Sequence, residues 1–115
     1  MSKIGDKVGA FISTDPETKK LFFLGYGIYE GDTIPSKEAR GFLAEGLREY
    51  GRPNPTLKLE NGDTVYGCEC WWGAEARIKQ QIEECQKAGY TIEIVRIADR
   101  RKAYDEEQQP PSKEG

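Results

Sequence analysis

Cys68, Glu69 and Cys70 stand in the stretch GDTVYGCECWWGAEARIKQQI, Gly62 to Ile82, directly ahead of Trp71 and Trp72 and of a run with helical spacing. Two thiols flanking a carboxylate raise in turn a metal site, a redox pair and a ligand pocket. Structural zinc takes four N or S ligands, and the chain offers one further cysteine, Cys85, and no histidine. No metal and no cofactor are therefore expected. A Cys68–Cys70 disulfide is equally poor, because strand neighbours two apart sit at the distance limit with nearly parallel side chains. The three thiols read instead as small apolar packing groups. Absence of histidine also removes Ser-His and Cys-His nucleophile pairs, leaving carboxylates, Lys, Tyr or Cys for any reaction. Glu30, Asp32 and Glu69 are the carboxylates that could gather at strand ends, but acid-base work needs one of them buried enough to shift its pKa. A carboxylate-dependent hydrolase is thus the weakest of the functional readings, and no catalytic residue is assigned.

The rest of the composition narrows the partners. A chain of 115 residues with 37% hydrophobic content supports one compact domain. Its formal charge of -3 lacks the basic excess that a phosphate backbone demands, so no nucleic-acid partner is expected. No apolar run approaches the roughly 20 residues of a bilayer span, and Met1 to Asp6 lacks the order of a secretory signal. With an odd number of cysteines, the expectation is a cytoplasmic protein without membrane contact.

The elements that must position these residues follow from periodicity. Lys7 to Ser13 and Leu21 to Glu30 read as a first hairpin, and Glu38 to Tyr50 as a helix whose inner stripe is Ala39, Phe42, Leu43, Leu47 and Tyr50. Gly41 and Gly46 each weaken that helix by about 1 kcal/mol. Thr56 to Glu60 and Thr64 to Cys70 form a second hairpin through Asn61-Gly62. A second helix spans Ala74 to Ala88, with Ile78, Ile82 and Cys85 inward, and Tyr90 to Ile97 is the closing strand. The fold class is α+β, an antiparallel-rich sheet with two helices. The ββα-ββα-β order suggests an internal duplication, in which Tyr26-Gly27 answers Tyr66-Gly67 and Glu38-Ala39-Arg40 answers Glu75-Ala76-Arg77. Residues 1–98 make the domain, and residues 99–115 read as a polar, disordered tail.

Strand alternation then assigns two faces. Phe22, Leu24, Tyr26 and Ile28 point to the helices together with Tyr66, Cys68 and Cys70; Phe23, Gly25, Gly27 and Tyr29 point away, as do Val65, Gly67, Glu69 and Trp71. That second face is aromatic over a glycine floor, and glycine inside a strand marks close approach of a ligand or another backbone. Another part of the chain, a second copy or a small molecule could cover it. In the last case Tyr29, Trp71 and Trp72 supply flat walls, Gly25, Gly27 and Gly67 the clearance, and Glu30, Asp32 or Glu69 the polar handles. The helix starts offer free N–H groups to an anion.

The segments GYGIYEGDTIP and NPTLKLENGDTVYGCECWWGAEARIK resemble a set of small proteins encoded in bacteriophage and prophage genomes, with YGCECWWG as the distinctive part. The likeness runs from Val8 to Lys79 and transfers no functional residue. It implies a non-enzymatic protein that binds something of the host. The leading expectation is capture of a small nucleotide-derived ligand, conceivably to sequester a defence signal; the alternative is a protein-interaction module that inhibits a host protein, with homo-oligomer formation also in view.

Overall fold

The computed structural model describes residues 2–108. Lys7–Asp15 (β1) and Lys20–Thr33 (β2) pair antiparallel around a polar turn. Phe42–Glu49 (α1) leads to a second antiparallel hairpin, Asn54–Leu59 (β3) with Thr64–Tyr66 (β4), whose turn carries Gly62 at a φ of 95°. Trp71–Ala74 (β5), Glu75–Lys87 (α2), Thr91–Ile94 (β6) and Ile97–Gln108 (α3) complete the order. The architecture is α+β. One sheet runs β4-β3-β2-β1-β5, and β6 joins β2 in parallel. Fourteen residues make β2 long enough to seat two neighbours along one edge, β3 beside Gly27 to Thr33 and β6 beside Lys20 to Phe23.

Two offsetting register irregularities between β1 and β2, an unmatched Leu24 in β2 and an unmatched Ile12 in β1, bear on which side chains meet. Ala10 pairs with Gly25 but Phe11 pairs with Phe23, so Leu24 is unmatched and Gly25 adopts a φ of 139°. Such a bulge reverses the alternation beyond it. Phe23 and Tyr26 consequently share the α2 side, edge to face at 4.9 Å between centroids, and pack with Leu21, Ile78, Ile82 and Cys85. Leu24 and Tyr29 lie in the other core, with Val8, Ala10, Leu57, Leu59, Val65 and Ile97. Unbroken alternation places Leu24 under the helices and Phe23 opposite; the bulge corrects both. The second face is not an open floor. Val95 and Ile97 pack onto it from within the chain.

Four further expectations change for local reasons. Thr64 to Cys70 is not one strand, because a 3-10 turn at Gly67–Glu69 ends β4 after three residues and sends Trp71 to Ala74 back beside β1. Where a disordered tail is expected from Asp99, the chain forms α3; the remainder of that tail, residues 109–115, lies outside the described residues. The segments matched as a repeat occupy different settings. Tyr26-Gly27 is mid-strand whereas Tyr66-Gly67 enters a turn, and Glu38-Ala39-Arg40 is irregular whereas Glu75-Ala76-Arg77 opens α2. The helix expected from Glu38 begins only at Phe42, since Gly41 holds a φ of 116° that helical backbone does not allow.

Candidate functional site

Glu69 is the most heavily bonded of the residues singled out by sequence. Its carboxylate accepts Arg101 Nε at 2.8 Å on Oε2 and Arg101 Nη2 at 2.7 Å on Oε1. The backbone N–H of Tyr66 donates to Oε1 at 3.2 Å and that of Arg40 to Oε2 at 3.3 Å. Arg101 also donates to the Thr64 carbonyl at 3.0 Å. The Glu69 side chain is 4% exposed and that of Arg101 14%, so this is a buried, two-pronged ion pair. It ties the 3-10 turn to α3 and to the loop before α1. No lone pair is left over as a ligand handle.

The aromatic and glycine residues are spoken for in the same way. Tyr29 stacks on Trp72 at 5.5 Å between centroids with 12° between planes, and its hydroxyl donates to Asp32, which raises the Tyr29 pKa. A Cβ at Gly27 would lie 2.1 Å from the Lys58 carbonyl oxygen, and one at Gly67 would lie 2.9 Å from Trp72 Nε1. These two glycines admit the chain's own backbone and indole. Gly25 supplies the bulge. Glu30 points to solvent, and Trp71 is 68% exposed at the sheet edge on β5. Of the nine residues expected around one ligand, Tyr29, Asp32, Gly67 and Trp72 gather at the stacked pair, Glu69 lies in the buried ion pair, Gly25 and Gly27 lie within β2, and Glu30 and Trp71 are exposed.

Cys70 is packed against the second core and donates its thiol to the Tyr66 carbonyl at 3.5 Å. Burial, with the Glu69 charge adding to it, pushes its pKa up to about 12. Burial also raises Cys68, where Glu69 acts in the same direction. Because the thiolate is the nucleophile, alkylation of Cys70 in the folded protein at about pH 8 is expected to run at least about 100-fold slower than for a free thiol, and to recover in denaturant. Mass spectrometry after timed maleimide exposure measures this; labelling at the free-thiol rate would show an open site. Among the described residues no cluster of three His, Cys, Asp or Glu could hold a metal ion, and no helix is long and apolar enough to cross a membrane.

The structure places an unexpected surface elsewhere. Ala44 is the buried residue of α1, packed with Ala39 and Tyr66, and Arg48 folds back to donate to the Ser36 and Ala39 carbonyls at 2.6 and 2.9 Å. These contacts turn the opposite stripe outward. Phe42 is 77% exposed, Leu43 67% and Tyr50 75%. With Gly46, Leu47 and Arg52 they line a groove of about 720 Å³. Periodicity identified this stripe but assigned it inward. Its signature was glycine at the stripe's centre, a residue that fills no core, beside small alanines that let the other side lie close to the body.

A second recess, between α3 and the β3–β4 turn, is bordered by Glu38, Arg40, Asp63, Lys102 and Asp105. Its charges largely satisfy one another: Arg40 meets Asp105 at 2.9 Å and Asp63 meets Arg96 at 2.8 Å. Comparison with protein-family models, with curated proteins and with solved structures gives no match.

Proposed function

We propose that the chain is a protein-interaction module that works by presenting the apolar face of α1. The observation that carries this reading is the exposure of Phe42 and Leu43 in the first turn of α1 and of Tyr50 at its C-terminal cap. Scattered exposed apolar residues are ordinary, whereas aromatic and aliphatic groups contiguous on one element mark an interface. A helix laid against a partner surface is a recurrent recognition mode, and its anchors fall at the spacing of Leu43, Leu47 and Tyr50. Inhibition of a host protein, which the likeness to phage-encoded proteins implies, would use this face. Small-molecule capture on the Tyr29–Trp71 face has less support, because Tyr29, Gly27, Gly67 and Glu69 each have a partner within the chain.

A photo-crosslinking amino acid tests this reading. Placed at Leu43 it is expected to join the chain to a discrete protein species, and placed at Ile94, also exposed but outside the groove, to none. Leu43→Asp and Tyr50→Asp are expected to change unfolding free energy by less than about 0.5 kcal/mol, as solvated surface changes do. Crosslinking that is equal at both positions, or a Leu43→Asp variant that unfolds, would count against α1 as the working surface.

A further inference from the structure

We infer that the occupant of the α1 groove is α1 of a second copy, the two helices lying antiparallel across a twofold axis. This rests on the reading of α1 as the docking surface and names its partner. The first observation is Gly46. Its backbone is helical, and a Cβ there would meet no atom within 4 Å, so neither conformation nor internal packing calls for glycine. It costs the helix about 1 kcal/mol relative to alanine. What it provides is a hole in the middle of an apolar stripe, flanked by Leu43, Leu47 and Tyr50. The same stripe carries the bulky ring that would fill such a hole. A surface with both knob and hole is self-complementary, which is the condition for a closed twofold contact.

Charge points to the same arrangement. Arg52 borders the groove just beyond the C-terminal end of α1, and Glu45 lies in its first turn; neither has an ion-pair partner among the described residues. Reversing the helix direction brings Arg52 of each copy level with Glu45 of the other. That register sets Tyr50 of one copy beside Gly46 and Leu47 of the other. The contact centres on Gly46, Leu47 and Tyr50 of each copy and buries well under the about 800 Å² per partner of a standard interface. The dimer is accordingly reversible and concentration-dependent.

Sedimentation equilibrium of the full chain, from about 1 µM to about 1 mM, tests the inference. The expected result is a monomer–dimer equilibrium with no larger species. Gly46→Leu, which fills the hole while favouring the helix, is expected to raise the dissociation constant about tenfold or more, and Glu45→Arg and Arg52→Glu about tenfold each. The Glu45→Arg/Arg52→Glu double variant restores association. Far-ultraviolet circular dichroism confirms that each variant remains folded. A monomer throughout the range would overturn the second copy as occupant; a Leu43-specific crosslink to a different protein would still uphold α1 as a docking surface. A dimer indifferent to Gly46→Leu and to both charge changes, or a double variant that stays weak, would also overturn the inference.

Discussion

Glu69→Leu is expected to destabilise the fold by about 3–5 kcal/mol, because it strands the Arg101 guanidinium at a buried site and leaves the Tyr66 and Arg40 N–H groups without their acceptor. At the entropy of unfolding of a domain this size, the midpoint falls by about 15 °C. The change does not stay local. Helix α3 carries DRRKAYDEEQ after Ile97 and Ala98 near its start, and its charged length is held by Arg101 to Glu69 and by Asp105 to Arg40. Part of its helical circular dichroism is therefore lost below the global transition. Arg101→Met alone costs less, since Glu69 keeps its two backbone donors, and the double variant Glu69→Leu/Arg101→Met recovers most of the loss by replacing the pair with apolar groups. A Glu69→Leu effect under about 1 kcal/mol would mean that water reaches the pair.

Gly27→Ala is the second large effect. The added methyl would overlap the Lys58 carbonyl at 2.1 Å and approach the Leu59 Cα at 2.6 Å. Both are backbone atoms of the neighbouring strand β3, so no rotamer change can relieve the contact. Gly27 pairs with Leu59, so pushing β3 away breaks the ladder where Leu57 and Leu59 enter the core. A loss of about 3 kcal/mol is expected, at the upper end of ordinary overpacking. Urea unfolding measures it. Were Gly27 instead clearing space for a ligand, alanine would leave the unfolding midpoint where it is, and only binding would suffer.

These two residues also show what sequence could and could not convey. Alternating and helical periodicity locate both hairpins and α2 with its Ile78, Ile82 and Cys85 face, because burial of a regular stripe drives them; the closing strand is shorter than the expected Tyr90 to Ile97, spanning Thr91–Ile94, and of its four residues only Ile92 is partly covered. A glycine within a strand, as at Gly27, reads as a place of close approach, but sequence does not say whether the visitor is a ligand or a strand. The bulge at Leu24-Gly25 was invisible to alternation, which presumes one residue per step on both partners. Helix α3 was missed because its stabilising contacts are ionic and distant, Arg101 meeting a carboxylate 32 positions earlier. The outward turn of α1 was missed for a related reason: an apolar stripe records that a surface seeks cover, not whether the cover belongs to the same chain.

The placement of β1 between β2 and β5 has a bearing on how the chain is made. Its inner hairpin can close as soon as Thr33 has left the ribosome, yet its other edge must wait for residues 71–74, some forty positions later in translation. During that interval a row of bare amides flanks Val8 and Ala10, the kind of template on which nascent chains stick together. Arrival of the tryptophan pair on β5 caps it, so synthesis of the second hairpin is the interval over which this edge stands open.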